Sequence, residues 1–227
     1  MTWCSKNTTR VAWVQIDYAF DQCINFMDTA ELYATPADAS TYGLTETYIG
    51  NWFEKTGKRD EWILASKVVG PGNRWIRDGA PMTGASVREA LEGSLKRLKT
   101  DHLDLYQLHW PNRGHYHFER SWAYAPHKKS TEGVLPNMLE VLETLDALVR
   151  EGKVRHIGLS NETAWGIMQY LRLADEHDLP RVVSVQNEYS LLRRHFDHDL
   201  AEISHYEDIG LLAYSPLAGG ALSGKYM

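Results

Sequence analysis

The sequence predicts an α/β fold, a (β/α)8-type barrel of which about six of the eight strands are present. Two features indicate this. Short apolar runs alternate with amphipathic helical patterns along the 227 residues, which is typical of βαβ units and a parallel sheet. Polar residues directly follow several apolar runs, where a barrel places its functional groups. We therefore expect the site to lie at the carboxyl ends of the strands.

Size and composition predict a single domain spanning residues 1–227. Hydrophobic residues make up 43% and charged residues 24%, and the net charge is −6, which does not favour nucleic acid or an anionic membrane. The two cysteines, Cys4 and Cys23, form neither a disulfide framework nor a metal-binding spacing. The chain shows no signal peptide and no apolar stretch of membrane-spanning length. We expect a cytoplasmic protein without a metal, nucleic-acid or membrane partner.

Six strands are predicted from apolar runs rich in branched and aromatic residues. Most of the runs are continuous rather than alternating, as expected for strands covered on both faces. The predicted strands cover residues 25–28, 62–67, 103–109, 154–159, 182–187 and 211–215.

Helices are predicted between these strands from apolar residues spaced three and four apart. Ser86 and Glu89 have the spacing of a capping box, and Gly57, Gly152 and Gly210 follow helical patterns as stop signals. Residues 111–136 lack periodicity, which predicts a long loop whose aromatic side chains line a substrate pocket. The predicted helices cover residues 44–56, 86–99, 137–150, 163–177 and 198–207, with a weaker candidate at 9–22.

The glycine pattern favours a barrel over an open, doubly wound sheet. Open sheets that bind dinucleotides usually carry G-x-G-x-x-G after the first strand, and no such motif occurs here. Gly70-Pro-Gly72 and Gly219-Gly220 lack that spacing. Units of roughly 30–45 residues with polar residues at the strand ends are typical of a (β/α)8 barrel.

Four polar residues are the candidate catalytic residues. Asp28 ends the first predicted strand and Tyr33 follows five residues later, while Lys67 and His109 end the next two strands. Because the carboxyl ends of neighbouring parallel strands meet at one edge, we expect these side chains to converge.

An acid, a phenol, an amine and an imidazole supply what carbonyl reduction needs from the protein. A phenol has a pKa of about 10, and a neighbouring ammonium group lowers that pKa. We therefore predict Tyr33 as the general acid, Lys67 as the cation that tunes it, Asp28 as the partner of Lys67, and His109 as the donor that orients the substrate. Hydride would have to come from a nicotinamide cofactor, since no side chain supplies it.

Each of these residues also has a structural interpretation. Asp28 with Glu31 has the spacing of a helix N-cap with its reciprocal glutamate. Tyr33 could be a packing residue, Lys67 could extend its ammonium group from a strand end into solvent, and His109 could be a turn histidine. It is the joint placement of the four that favours a catalytic function.

These stretches resemble the aldo-keto reductase family, most of all its bacterial Tas-like branch. The resemblance covers essentially the whole chain in family order, and the combination of motifs is specific. The matching stretches are Asn25-Phe-Met-Asp-Thr-Ala-Glu-Leu-Tyr33, Ile63-Leu-Ala-Ser-Lys67, residues 91–98, residues 101–111, residues 152–161, Val185-Gln-Asn-Glu-Tyr-Ser190 and Leu212-Ala-Tyr-Ser-Pro-Leu217.

The resemblance implies a barrel that binds NADP(H) and reduces a small-molecule aldehyde or ketone. It implies a catalytic tetrad at Asp28, Tyr33, Lys67 and His109. It also implies residues that bind the cofactor. Some hydrogen-bond the nicotinamide carboxamide, one stacks on the nicotinamide ring, and others make contacts near the pyrophosphate. These residues are Ser160, Asn161 and Gln186 for the carboxamide, Tyr214 for the ring, and Ser215 and Leu217 for the pyrophosphate side.

The chain also departs from the family pattern. Family members have a further strand before residues 1–3, and a further strand, helices and a phosphate-binding loop after Tyr226, so we expect weakened cofactor binding and exposed strand edges. Cys23 stands where the family usually has glycine, just after a helix. Two alternatives to catalysis stay open: a non-catalytic NADP-binding subunit resembling potassium-channel β subunits, or a gene fragment with no independent role. The oligomeric state is not predicted.

Overall fold

The computed structural model describes residues 2–227, which form a six-stranded parallel sheet with helices packed against it. Each strand pairs with its neighbours in chain order. All six predicted strands are confirmed, each within two residues of its predicted ends. The strands are β1 (Phe26–Asp28), β2 (Ile63–Val68), β3 (Leu103–Leu108), β4 (Val154–Ser160), β5 (Ser184–Glu188) and β6 (Gly210–Tyr214).

Six α-helices connect or precede these strands, and all of the predicted helices are present, including the weak candidate at the start of the chain. Their apolar faces pack against the outer face of the sheet, where β3 and β4 lie at the centre of the core. The helices are α1 (Thr9–Asp21), α2 (Leu44–Thr56), α3 (Gly84–Leu98), α4 (Val134–Arg150), α5 (Ala164–His177) and α6 (Asp199–Tyr206).

The start of α3 differs from the prediction. Thr83, not Ser86, is the N-cap: its hydroxyl accepts a hydrogen bond from the Ser86 backbone N–H at 3.2 Å. The Ser86 hydroxyl in turn accepts from the Thr83 N–H at 2.8 Å. The capping box therefore lies three residues earlier than the Ser86–Glu89 spacing suggests, because serine can supply the reciprocal acceptor that glutamate usually provides.

Two of the three predicted glycine stops are found at helix ends. Gly57 caps α2 with a φ of +69°, and Gly152 follows the cap of α4 with a φ of +74°. The prediction for Gly210 was wrong: α6 ends at Tyr206, the chain turns at Asp208 with a φ of +53°, and Gly210 begins β6. Asp, like Asn, tolerates the left-handed conformation better than most residues, so no glycine is needed there.

Hydrogen bonds across its interior show that the sheet is curled. The Asp28 carboxylate in β1 accepts hydrogen bonds from Gln107 in β3 and Gln186 in β5, although these strands are not neighbours of β1. The six strands therefore form an open half-barrel, which agrees with the predicted incomplete (β/α)8 barrel. Outward-facing side chains pack on the helices; for example, the Tyr106 hydroxyl donates to the Val87 carbonyl of α3 at 3.1 Å.

Two long loops follow strands at the carboxyl end of the sheet. One covers residues 29–43 and the other residues 109–133, which contain the short 3-10 helices Ser121–Ala123 and Pro126–Lys128. The loop predicted at 111–136 is thus confirmed, except that α4 begins three residues earlier, at Val134 rather than at 137. Across residues 2–227, none of the helices combines the length and the apolar character needed to cross a bilayer.

Candidate active site

Side chains from four strands of the half-barrel meet at the Asp28 carboxylate. Asp28 is the last residue of β1, and its Oδ2 accepts a hydrogen bond from the Lys67 Nζ at 2.6 Å. Its Oδ1 accepts from the Nε2 atoms of Gln107 and Gln186, each at 3.1 Å. Three donors arriving from different strands fix the orientation of this carboxylate.

Lys67 is fully buried in β2, and its ammonium group has two oxygen partners. Besides Asp28, the Nζ donates to the carbonyl of Thr29 at 2.7 Å. Burial alone would lower the pKa of Lys67, but the charge of Asp28 and the Tyr33 phenol outweigh burial, so the pKa is raised. Lys67 is therefore a fixed positive charge at neutral pH, with Asp28 as its counter-ion.

Tyr33 lies in the loop after β1 and is only 6% exposed. The Lys67 Nζ lies 5.2 Å from the centroid of its ring. Burial raises the pKa of Tyr33 above the ordinary phenol value, and the charge of Lys67 only partly offsets this. Lys67 lowers the pKa of Tyr33, as predicted, but desolvation of the phenolate raises this pKa by more. Tyr33 therefore keeps its proton at neutral pH.

His109 directly follows β3 and packs edge-on against Tyr33, with 5.7 Å between ring centroids and 80° between ring planes. Burial and the positive charge of Lys67 hold the pKa of His109 well below its usual range, so the imidazole is neutral. Its Nδ1 has no hydrogen-bond partner among residues 2–227. The His109 ring lines the cleft, and a neutral imidazole can hydrogen-bond a ligand there.

A buried ion pair fastens the loop between Asp28 and Tyr33. The Glu31 carboxylate is fully buried and accepts hydrogen bonds from the Arg77 guanidinium at 2.5 and 3.0 Å and from the Val69 N–H at 2.6 Å. No helix begins at Asp28, so the N-cap interpretation of Asp28 and Glu31 is wrong. The sequence does not reveal Arg77 as the partner of Glu31, because no local pattern links residues 46 positions apart.

The polar residues at the ends of β4, β5 and β6 form a second hydrogen-bonded group beside His109. The Ser160 hydroxyl donates to the Gln186 carbonyl at 3.0 Å. The Asn161 Nδ2 donates to the Ser160 Oγ at 3.0 Å and to the His109 carbonyl at 2.9 Å. The Tyr214 hydroxyl donates to the Asn161 Oδ1 at 2.8 Å. These side chains therefore form one network at the mouth of the half-barrel.

A cleft of about 610 Å³ brings the two groups together. Three of the four predicted catalytic residues line it, while Lys67 lies beneath its surface. Ser215 also lines the cleft, but Leu217 does not and is half exposed. The polar lining residues are Asp28, Tyr33, Thr35, His109, Ser160, Asn161, Gln186, Tyr214 and Ser215, and the apolar ones include Phe26, Leu32, Trp110, Phe118, Leu211 and Leu212.

The loop of residues 109–133 forms one wall of this cleft. The Phe118 ring packs edge-on against Trp110, with centroids 5.9 Å apart, and both rings line the cleft. Arg113 fastens the loop through an ion pair with the buried carboxylate of Glu162, which directly follows Asn161. The predicted aromatic wall is therefore built from only part of the loop, since Trp122 is fully exposed.

Two histidines of this loop are buried and neutral. The His117 Nε2 is hydrogen-bonded to the Glu162 carbonyl at 3.1 Å, and burial lowers the pKa of both His115 and His117 to about 4. Within residues 2–227, no group of three or more histidine, cysteine or acidic side chains could hold a metal ion.

A curled parallel sheet with a polar cleft at the carboxyl ends of its strands defines this chain as a barrel-type domain. The model of the aldo/keto reductase family matches residues 3–227, and the chain belongs to that family. It is 50% identical over its whole length to Protein tas of Escherichia coli (strain K12), of which it spans 65%.

More distant relatives agree with this assignment. The chain is 35% identical to the uncharacterized oxidoreductase YrpG of Bacillus subtilis, over 95% of the chain and 60% of that protein. It is 29% identical to aflatoxin B1 aldehyde reductase member 2 of Rattus norvegicus, over 89% of the chain and 46% of that protein. The chain thus spans less than two thirds of the length of each of these relatives.

Proposed function

We propose that this domain reduces aldehydes or ketones with a nicotinamide cofactor, and that Tyr33 is the general acid. The observation that carries the proposal is the ion pair between Asp28 and the buried Lys67, which lies directly beside a protonated Tyr33 at the wall of a cleft. Membership of the aldo/keto reductase family supports the same chemistry, as do the names of two relatives, an oxidoreductase and an aldehyde reductase.

The side chains at the ends of β4 to β6 fit a nicotinamide carboxamide. Gln186 gives its Nε2 to Asp28, which leaves its Oε1 as an acceptor for a carboxamide N–H₂. The Ser160 hydroxyl oxygen and the Asn161 Oδ1 lie beside it, and each has a lone pair left to accept from the carboxamide. The Tyr214 ring provides an aromatic face for stacking. A bound nicotinamide supplies the hydride, which no side chain can provide.

Ser215 and Leu217 are assigned to the pyrophosphate side of the cofactor. Ser215 lines the cleft next to Tyr214, and the half-exposed Leu217 lies two residues further along the chain. The preference for NADP(H) over NAD(H) rests on the family resemblance.

In the proposed reaction Tyr33 transfers its hydroxyl proton to the carbonyl oxygen of the substrate while hydride adds to the carbonyl carbon. The Lys67 ammonium group stabilises the phenolate left on Tyr33, because a positive charge close to a developing negative charge lowers its energy in a buried site. Asp28 keeps Lys67 charged and oriented. The neutral imidazole of His109 hydrogen-bonds the substrate oxygen and aligns the carbonyl for both transfers.

Replacement of the Tyr33 hydroxyl tests this proposal. We expect Tyr33→Phe to lower the rate of nitrobenzaldehyde reduction by about 10²–10⁴-fold, since the proton donor is lost, while NADPH still quenches the intrinsic fluorescence. Tyr106→Phe is the matched control, because Tyr106 is also buried but faces α3, and its rate should stay within about twofold of the wild type. Equal NADPH oxidation by Tyr33→Phe and the wild type, or no oxidation by either, would contradict the proposal.

A further inference from the structure

Gln107 is a buried polar residue for which packing gives no explanation. It lies inside β3, two residues before His109, and is fully buried. Its Nε2 donates to Asp28, but its Oε1 has no hydrogen-bond partner among residues 2–227. A buried carbonyl without a partner destabilises a fold, and Leu105, on the same face of β3, is apolar. A leucine or methionine would serve folding better at this position, so glutamine points to another role.

Gln107 donates its hydrogen bond to Asp28 from beneath the surface of the cleft. Gln107 does not line the cleft, whereas Gln186, the other amide donor to Asp28, does line it and is the residue proposed to bind the carboxamide. Of the two amides that donate to Asp28, Gln107 is therefore the one that lies outside the cleft and has no proposed contact with the cofactor. With Lys67 on Oδ2 and Gln107 on Oδ1, the carboxylate is held from two adjacent strands.

We propose that Gln107 is a positioning residue: it holds the Asp28 carboxylate so that Oδ2 faces the Lys67 ammonium group and keeps that group against the Tyr33 phenol. This role rests on the proposed reductase function. Gln107 touches neither substrate nor cofactor and acts through Asp28 alone. The neutral amide also matters, because it donates a hydrogen bond to Asp28 without adding or removing charge.

The charged and titratable groups around Asp28 determine what a change at position 107 does. Lys67 from β2 and Tyr33 from the β1–α2 loop lie next to Asp28, and His109 and Tyr214 line the same cleft. A carboxylate at position 107 would face Asp28 directly, and two neighbouring carboxylates cannot both stay ionised without repulsion. At lower pH one of the two binds a proton, and its O–H can then replace the lost N–H donor.

Two substitutions of Gln107 test the proposal with the 227-residue chain. Gln107→Met keeps the length of the side chain and removes the hydrogen bond, so we expect kcat for nitrobenzaldehyde reduction to fall roughly tenfold while KM for NADPH stays within about twofold. We expect Gln107→Glu to lose more activity than Gln107→Met at pH 9 and to regain at least about fivefold by pH 6.5, whereas the wild type and Gln107→Met change little. Rates are compared per folded molecule, with the folded fraction taken from circular dichroism at each pH. A purely structural role would then leave both variants at the wild-type kcat, because it changes only how much of the chain is folded.

A spectroscopic measurement gives a readout other than activity. The Lys67 ¹⁵Nζ resonance, assigned by its absence in Lys67→Met, reports on the buried ammonium group directly. We expect this resonance to shift in Gln107→Met and in Gln107→Glu at pH 9, and to move back toward the wild-type position in Gln107→Glu at pH 6.5.

The two measurements separate this role from the proposed function. A wild-type kcat and an unshifted Lys67 resonance in Gln107→Met would overturn the positioning role. If the wild-type chain reduces no carbonyl compound but Gln107→Met still shifts the Lys67 resonance, Gln107 positions the ion pair and the reductase proposal fails.

Discussion

Burial determines the protonation states of the candidate catalytic residues. Desolvation keeps the Tyr33 phenol protonated and the His109 imidazole neutral, while Lys67 stays charged because it has a carboxylate partner. These are the states that proton donation to a carbonyl oxygen requires: an acid with its proton, a cation to stabilise the resulting phenolate, and an uncharged hydrogen-bonding group. The apo site is therefore already in the protonation state needed for reduction.

The pH dependence of carbonyl reduction follows from these shifts. The pKa of His109 lies well below 6.5 and the pKa of Tyr33 lies above 10, so neither group changes its protonation near neutrality. We expect kcat/KM for nitrobenzaldehyde to stay constant within about twofold from pH 6.5 to 9. Steady-state rates at constant ionic strength check this, and a transition near pH 6.5 that is lost in His109→Gln would show instead that the imidazole titrates in the cleft.

The sequence alone locates the strand-end residues but not the residues beneath them. Asp28, Lys67 and His109 stand out because each ends an apolar run, and the structure places them within one region together with Tyr33. Gln107 was missed because a polar residue inside an apolar run has no periodic signal of its own. Arg77 was missed because its partner Glu31 is distant in the sequence, and only the folded chain brings them together.

At the level of elements, the close approach of α2 to the end of α3 depends on one glycine. A Cβ atom added to Gly50 in α2 would lie 2.1 Å from the Arg97 carbonyl oxygen and 2.7 Å from the Leu98 carbonyl carbon. Those are backbone atoms, so the two helices would have to move apart. Gly93 in α3 differs, because an added Cβ there first meets the flexible end of the Arg97 side chain at 3.0 Å.

We therefore expect Gly50→Ala to lower the free energy of unfolding by about 2–3 kcal/mol, despite the better helix propensity of alanine. Gly93→Ala is the matched control and should change this free energy by less than about 1 kcal/mol. Urea denaturation followed by circular dichroism measures both. Equal stability of the two variants would mean that α2 and α3 do not pack as closely as described.

The aromatic loop of residues 109–133 should loosen on acidification. The pKa of His115 and of His117 is about 4 in the closed loop, against about 6.5 for an exposed histidine. Between pH 6.5 and pH 4 the open loop binds protons that the closed loop does not, so lowering the pH favours opening. Hydrogen exchange of the Tyr116–Phe118 amides should speed up, relative to its intrinsic pH dependence, as the pH falls from 7 to 5.

A double substitution isolates the two histidines. His115→Gln combined with His117→Gln should remove the excess pH dependence, whereas His205→Gln on the exposed face of α6 should leave it unchanged. Excess exchange that persists in the double variant would assign the opening to another group.

The ends of helices could be predicted where a glycine marks them, and less well elsewhere. Gly57 and Gly152 mark the ends of α2 and α4. Cys23 adopts a φ of +62° just after α1, the left-handed conformation that favours glycine. The start of α3 was predicted at Ser86 because the usual glutamate pattern of the capping box was followed, although threonine and serine can cap each other. A reciprocal cap between threonine and serine is therefore recognised in the structure and not in the sequence.

At the scale of the whole molecule, the alternation of strands and helices was sufficient to predict a parallel sheet. The curvature was not determined by that pattern alone, since open and closed parallel sheets share it. In the structure the curvature is visible in the hydrogen bonds from β3 and β5 to Asp28 in β1. The same polar residues that form the candidate active site therefore also connect the interior of the half-barrel.

The open form of the sheet leads to a prediction for a chain of these 227 residues. In the described residues, β1 and β6 lie at the two edges of the sheet, and β6 is paired only with β5. The Gly210 N–H donates to Val183 and the Tyr214 carbonyl accepts from Tyr189, so both groups point toward β5. Alternate residues of a strand point to opposite sides, and we therefore infer that the Leu211 and Ala213 N–H groups point to the outer edge.

We expect the Leu211 and Ala213 amides to exchange with solvent deuterium at least about a hundredfold faster than the amides of β3, because β3 is paired on both sides and wholly buried. Leu212 and Tyr214 should exchange more slowly than their neighbours, which gives an alternating pattern along β6. Hydrogen exchange followed by NMR at two protein concentrations makes this measurement. Uniform, strong protection along β6 that weakens on dilution would mean instead that a second copy of the chain pairs with this edge. Uniform protection at both concentrations would mean that the edge is covered within the chain itself.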